Sequence, residues 1–368
     1  MSWIKPEFNR DEINRAGEIL ISHQAAPMDE LNNALKIINN WRAIHACPLQ
    51  SIKMTLSGRA KKQDTGALIA QRTKRLPAII LKLRKNHEEG LTMKLSQMHD
   101  IGGCRAVLRS VSQAEDLTAV YEKATIKNAL RGGKFHRKYD YIKNPKDSEY
   151  RSIHLVYKYH SDSKKLAIYN DLKIEIQIRS KLQHAWATAV ETVDFFTGQA
   201  LKSNIGEVSW KRFFALASNE FARIEKRPLV PGTPENEAES RKELQSYVAQ
   251  ISLLEGLRTA TGIVTTGLGG VSKDGHFFLL QLNLQNRTIQ TTTFRQNQAA
   301  EAQEKYLEAE KNNRDRPMQT VLVSVDSLAA LPKAYPSFYL DISEFVRVLN
   351  KILGISKVPD APSAAATV

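Results

Sequence analysis

The segment Lys173–Arg179, KIEIQIR, alternates polar and apolar residues at every step. A strand with that period puts Glu175, Gln177 and Arg179 on one face and Ile174, Ile176 and Ile178 on the other. The isoleucines supply core. The opposite face sets a carboxylate, an amide and a guanidinium in a row on a rigid element, as a precise site requires; a solvated strand face carries the same letters. A second carboxylate stands in Met98-His-Asp-Ile-Gly-Gly-Cys-Arg105, where Asp100 and Arg105 flank Gly102 and Gly103, two positions at which backbone can approach a ligand closely. Asp100 and Glu175 on neighbouring strands suit Mg²⁺, which takes one or two carboxylates together with substrate phosphates and water. A structural pairing of Asp100 with Arg105 competes with that use.

Two further segments add cations and an aromatic ring. Gln71-Arg-Thr-Lys-Arg75, with Lys82 further along, offers charges whose natural partner is a polyphosphate, or else forms a solvated helix face. In the loop Asp140–His154, Tyr150 lies beside Lys146 and Arg151, a grouping suited to stacking on a nucleobase whose phosphates the cations hold. A core tyrosine explains the same residue equally well.

The elements that must position these groups follow from periodicity and breakers. Residues 11–48 read as helical with a break at Pro27, and a basic helix is expected from about Thr65 to Lys85, restarted near Pro77. Strands follow at Ile101–Leu108, Ile153–Tyr159 and Lys173–Arg179, interleaved with helices at Gln113–Leu130, Ser180–Val193 and Val208–Lys226. RPLVPGTPENEAES then reads as a linker, followed by a helix at about Arg241–Thr259. Strands His276–Asn283 and Arg287–Phe294, helix Gln298–Asn312, strand Thr320–Val325 and helix Ser343–Leu353 make a small ββαβα unit. The fold class is α+β, a mixed sheet flanked by helices with that unit appended. The expected division is a domain over 1–228, linker and helix over 229–259, a second domain over 260–355 and a disordered tail over 356–368.

Bulk properties limit the setting. No apolar run approaches the ~20 residues that span a bilayer, and the charged start lacks a signal-peptide core, so a cytoplasmic protein without a membrane partner is expected. Cys47 and Cys104 lack CxxC spacing and read as buried thiols. Of the formal charge of +14, residues 51–150 carry 21 Lys/Arg against 10 Asp/Glu, which points to a polyanionic partner such as nucleotide, RNA or anionic membrane.

Taken in order, RTKR, DIGGCR, DYIKNPK with YRSIHLVY, and IEIQIRSKLQHAWA resemble the synthetase domain of the RelA/SpoT alarmone family. The resemblance covers roughly residues 40–225, including Thr197–Lys202 and a helix at Trp210–Phe221. It implies a nucleotidyltransferase-like fold and transfer of the β,γ-pyrophosphate of ATP to a ribose 3′-hydroxyl. By resemblance, Arg72 and Arg105 sandwich adenine, Lys74 and Lys82 hold the ATP phosphates, and Asp100 and Glu175 bind Mg²⁺. Glu175 is then the general base and Tyr150 the residue that stacks on the acceptor base, with His154, Gln177 and Arg179 in support. The stretch before residue 40 offers no set of metal-binding histidines, so the family's hydrolase activity is not expected. The chain departs from the family's pattern at Ala78, where Ser is usual, and at Glu149, where Gly is usual. An acidic side chain at the acceptor loop opposes a polyanionic GDP or GTP.

With a region beyond the synthetase, the chain also resembles the toxic small alarmone synthetases, and among them the fused toxin–antitoxin CapRel type. That resemblance implies pyrophosphorylation of the 3′-CCA end of tRNA. It also implies restraint by a C-terminal pseudo-zinc-finger domain, here without cysteines, until a phage major capsid protein binds. Arg131-Gly-Gly-Lys-Phe-His-Arg-Lys138 adds Arg131, Lys134, Arg137 and Lys138, a surface suited to an RNA backbone and unnecessary for free GDP. A GDP/GTP-dependent alarmone synthetase and a non-catalytic tRNA-masking protein remain the alternatives. Restraint is expected at Ala334–Leu340, where Tyr335 or Tyr339 has the ring to occupy an adenine site built from Arg72 and Arg105; an ordinary core role for these aromatics is the competing expectation.

Overall fold

A computed structural model describes residues 3–22, 26–126, 133–145, 149–200, 207–250, 264–265, 275–313 and 316–355. Its helices longer than eight residues are α1 (Arg10–Ile21), α2 (Met28–Ile44), α3 (Ala46–Gln63), α4 (Leu76–Glu88), α5 (Val111–Ile126), α6 (Lys181–Ala200), α7 (Glu207–Glu225), α8 (Glu237–Gln250), α9 (Ala299–Asn312) and α10 (Ser343–Leu353). Its strands are β1 (Leu68–Thr73), β2 (Gly102–Leu108), β3 (Gly133–Asp140), β4 (Ile153–Tyr159), β5 (Lys173–Ser180), β6 (Val264–Thr265), β7 (Phe277–Asn283), β8 (Thr288–Phe294) and β9 (Met318–Val325). They form one mixed sheet in the order β3-β4-β5-β2-β1-β9-β7-β8-β6. Pairings β2–β5 and β6–β8 are parallel and the others antiparallel. The expected α+β class and mixed sheet flanked by helices are what the structure has.

The helix expected from about Thr65, restarted near Pro77, is corrected: Leu68–Thr73 is a strand, and the helix starts at Leu76. Leu, Ala, Gln and Arg are good helix formers, yet this segment pairs with β2 on one side and β9 on the other, and that pairing overrides local preference. Asp64 ends α3 just before it. Its carboxylate accepts from the Gly66 N–H at 2.9 Å and the Arg109 N–H at 2.7 Å, turning the chain into β1. The cationic run before Asp140 is also a strand, β3. It lies at the sheet edge with a register shift between Phe135 and Arg137, and the charges and bulge suit an edge that must not pair further.

One face of the β1–β5 half is covered by α3 and α5. Leu49, Ile52, Leu56 and Leu117 meet Leu155, Ile174, Ile176 and Ile178 there, the apolar partners of the alternation in KIEIQIR. Helices α1, α2 and α4 form a second core around Ile38, Trp41, Ile79 and Leu83. Helix α10 packs Phe345 and Leu349 against Phe213, Phe214 and Trp186 of α7 and α6. Cys47 and Cys104 are free and buried. The 229–250 segment is tied to α7: Arg212 meets Glu243 at 2.6 Å, and Asn219 donates to Pro234 O and accepts from the Val230 N–H. Thr197–Lys202 in part, the helix end expected at Thr259 and the tail 356–368 lie outside the described residues. Among the described residues no helix is long and apolar enough to cross a membrane.

Candidate active site

The registers bring the polar residues into rows on the face opposite α3 and α5. Tyr139, His154, Gln177, Arg105 and Ala70 are successive neighbours across β3, β4, β5, β2 and β1. One step along, the row is Arg137, Val156, Glu175, Gly103 and Arg72. Apart from Arg137 and Val156, these rows floor a cavity of about 530 Å³. Helix α6 walls it with Trp186, Ala187, Val190, Glu191 and Asp194, residues that recur at helical spacing and so share one face. Asp100, just before β2, closes one side with Lys74 and Lys82.

Five side chains on the floor close into a hydrogen-bonded ring. His154 Nδ1 is 2.9 Å from Glu175 Oε1 and its Nε2 is 3.0 Å from Tyr150 Oη. Arg179 donates to Tyr150 Oη at 2.9 Å and to Gln177 Oε1 at 2.6 Å, and Gln177 Nε2 donates to Glu175 Oε2 at 2.8 Å. Burial opposes a charge on His154, but Tyr150 and Glu175 outweigh it and raise its pKa to about 9. The imidazole is therefore doubly protonated near neutrality and donates from both nitrogens. Burial works against ionisation of Tyr150 and Glu175 as well. Arg179 and His154 nevertheless bring Tyr150 down to about 8, and His154 keeps Glu175 below the usual carboxylate range.

A second cluster surrounds Asp100. Lys74 Nζ lies 2.9 Å from one of its oxygens and Lys82 Nζ 3.0 Å from the other, so the partners of Asp100 are two lysines and not Arg105, the competing reading. Burial raises the Asp100 pKa, but these cations more than offset it and hold it well below the carboxylate range. Among the described residues no group of three or more His, Cys, Asp or Glu is arranged to hold a metal. Asp100 and Glu175 line the same cavity, and a hard cation bound by two carboxylates completes its shell with phosphate oxygens and water. The donor set fits Mg²⁺ on those terms.

Of the residues singled out in the sequence, Arg72, Lys74, Lys82, Asp100, Arg105, Tyr150, His154, Glu175, Gln177, Arg179 and Tyr335 all line the cavity. Several others do not. Gly102 is a packing position: a Cβ there would come within 2.7 Å of Ile174 Cδ1, and only Gly103 reaches the cavity. Arg151 is buried, donating to Pro228 O at 2.6 Å, and serves the loop's attachment rather than a phosphate. Lys138 sits on the opposite sheet face with Leu155 and pairs with Glu122 at 2.6 Å. Lys134 and Arg137 are exposed on β3 beside the cavity. Tyr339 is outside it, packed among the residues around β7–β9 with its hydroxyl bonded to Thr291. Arg131 and Lys146 lie outside the described residues.

Sequence reasoning missed His99, Tyr139, Tyr141, Trp186, Glu191 and Asp194 as cavity residues. The signal for Tyr139 was its place two residues after Arg137 on one strand face, hidden because β3 was not read as a strand. Glu149 has φ 58°, the left-handed region that favours glycine, which gives a physical reason for the usual Gly at that place.

Residues 71–194, from β1 to α6, match the family described as "Region found in RelA / SpoT proteins". Among solved structures the chain is similar to small alarmone synthetase 1 of Bacillus subtilis bound to its product pppGpp, at 22% identity over 52% of this chain and 94% of that one, TM-score 0.40. It is also similar to small alarmone synthetase 2 of Bacillus subtilis, at 18% identity over 50% and 93%, TM-score 0.39. A GTP pyrophosphokinase family protein of Streptococcus pneumoniae matches at 22% identity over 48% and 82%, TM-score 0.36. No curated protein matches the chain.

Proposed function

We propose that the protein transfers the β,γ-pyrophosphate of ATP to a ribose 3′-hydroxyl, and that its acceptor is the 3′-CCA end of tRNA. What carries the transfer chemistry is the placement of an ionised Glu175, held by His154 and Gln177, in one cavity with Asp100 and the lysine pair Lys74 and Lys82. The acceptor oxygen attacks Pβ as its proton passes to Glu175. The bond between Pβ and the oxygen bridging it to Pα breaks, and AMP leaves with that electron pair. Lys74 and Lys82 turn from Asp100 to the phosphates, and Arg72 and Arg105 take the adenine. Asp100 and Glu175 would hold Mg²⁺, which would supply charge neutralisation on the phosphate oxygens. Tyr150, fixed by Arg179 and His154, offers its ring to the acceptor base.

The same geometry favours a self-restrained enzyme of the toxin–antitoxin type. Tyr335 sits in the cavity with its ring 5.4 Å from the Arg105 guanidinium carbon, its hydroxyl donating to Gln71 O at 2.9 Å, while Arg105 also donates to Ala334 O. Adenine and Tyr335 compete for Arg105. Ser337 donates to Glu191 at 3.0 Å, and Glu191 faces Arg72 at 3.8 Å, so the other adenine residue is engaged too. A trigger that binds the C-terminal part better when it is withdrawn shifts the population toward the active form; a phage major capsid protein, with blocked translation as phage defence, is the trigger proposed from the family resemblance.

The test is incubation with ATP labelled at the γ position and either deacylated tRNA or GDP, using wild type and Tyr335→Ala. Label in tRNA supports the acceptor named here. Label only in a guanosine product makes the protein an alarmone synthetase, and none in either, with tRNA bound, makes it a masking protein.

A further inference from the structure

One acceptor base needs one ring, yet the cavity holds a succession of them leading away from Tyr150. Tyr141 lies 6.3 Å from Tyr150 and 5.3 Å from His154 between centroids. Tyr139 is 5.8 Å from Tyr141, with ring planes only 13° apart. His99 follows at 6.5 Å from Tyr139, and His136 on the β3 bulge stands edge-on to His99 at 5.4 Å. Tyr139, Tyr141 and His99 line the cavity and are half-buried, so each presents surface to it.

A row of cations runs beside the rings on the same sheet face. Lys134, Lys158 and Lys173 are direct cross-strand neighbours on β3, β4 and β5. Lys158 stands two residues from Val156, and Lys173 two from Glu175, which places them on the cavity face. Like charges placed directly opposite one another destabilise a sheet. Arg137 adds a guanidinium 5.8 Å from the Tyr139 ring. A string of phosphates relieves this repulsion, and rings at its flank receive the bases.

We propose that Tyr141, Tyr139 and His99, with Lys134, Lys158, Lys173 and Arg137 as a phosphate rail, form a channel for the unpaired nucleotides that precede the reacting 3′ nucleotide of a single-stranded RNA end. It rests on the RNA-acceptor reading above and makes the preferred acceptor an oligonucleotide rather than a mononucleotide. Tyr150 takes the terminal base, and the channel takes the two before it.

The test uses the full chain and 5′-fluorescent RNAs ending in A, CA, CCA and ACCA, with binding measured by anisotropy at several salt concentrations and melting temperatures taken in parallel. Affinity is expected to rise at each step up to CCA. Tyr139→Leu and Tyr141→Leu, which keep apolar volume, are each expected to weaken CCA binding about tenfold while leaving binding of the single nucleotide unchanged, and Tyr139→Phe to retain it. Lys158→Gln with Lys173→Gln should flatten the slope of log affinity against log salt by about 0.7 for each lysine. Wild-type affinity for CCA in both leucine variants, with normal melting, overturns the channel even if tRNA is still pyrophosphorylated. If GDP alone is the acceptor and no RNA binds, the underlying acceptor reading has failed and the channel with it.

Discussion

The Tyr335 ring stands 5.4 Å from the guanidinium carbon of Arg105, inside the cavity that also holds Glu175 and Asp100. Burial lowers the Arg105 pKa to about 10, with Arg179 adding to it. A buried guanidinium of that kind is stabilised by whatever flat, electron-rich surface lies across it, and the face that Tyr335 covers is closed to a second ring.

Tyr335→Ala should therefore raise the ATP affinity of the full chain about tenfold or more and arrest growth without any trigger, whereas Tyr339→Ala should lower the melting temperature and leave ATP affinity as it was. Calorimetric titration with a non-hydrolysable ATP analogue reads the difference. An unchanged affinity in Tyr335→Ala would rule out the plug.

The ring of five side chains predicts a shaped pH dependence. His154 has its pKa raised from 6.5 to about 9, so its contribution is complete below 6.5 and is lost as pH rises toward 9. Tyr150 has its pKa lowered from 10 to about 8, so its contribution is complete above 10 and is lost as pH falls through 8. Stability should fall between pH 6.5 and 8, level off to about 9 and recover toward 10. Denaturant titrations across this range should lose the first fall in His154→Gln. An identical profile in that variant would show that the proton is not held there.

Glu149 bears a Cβ at φ 58° while Ser218 Oγ donates to its carbonyl at 2.7 Å, fixing the loop just before Tyr150. Glu149→Gly keeps that hydrogen bond and removes the steric penalty of the left-handed conformation, worth about 1 kcal/mol. A rise in melting temperature is expected from thermal unfolding, and a fall of several degrees would mean that the glutamate side chain contributes more than the strain costs.

Legibility from the sequence followed periodicity. KIEIQIR alternates at every residue, and the strand, its core face and its site face all emerged as read. His154, Gln177 and Arg179 were expected only as supporting residues, since nothing in spacing reveals that they close a ring with Glu175 and Tyr150. That relation depends on β4 and β5 being neighbours in a particular register. LIAQRT was misread because its residues favour helix in isolation, and the two strands that overrule them come from residues 102–108 and 318–325. The same long-range pairing hides Tyr335's partner, 230 positions earlier along the chain at Arg105.

The contact least visible in the sequence joins α2 to α9. Arg42 is fully buried; its Nη1 lies 2.6 Å from Glu310 Oε2, its Nη2 donates to Tyr306 Oη at 2.6 Å, and its Nε donates to Lys74 O at 3.0 Å. Glu310 also accepts from the Leu76 N–H at 3.1 Å, at the N-terminus of α4 where negative charge is favoured. One ion pair from the C-terminal part thus fixes the backbone on both sides of Arg75, including the residue whose side chain holds Asp100. Glu310→Ala strands the Arg42 charge in the interior and should cost about 3–5 kcal/mol. Replacing both partners, Arg42→Met with Glu310→Leu, should recover most of that loss, because no unmatched charge remains. If fixing Lys74 matters to the site, the double variant should recover stability while its KM for ATP stays raised, since no group then holds the Lys74 carbonyl. Chemical denaturation and steady-state kinetics in a Tyr335→Ala background separate the two effects. Full recovery of KM along with stability would reduce Arg42 and Glu310 to a packing contact.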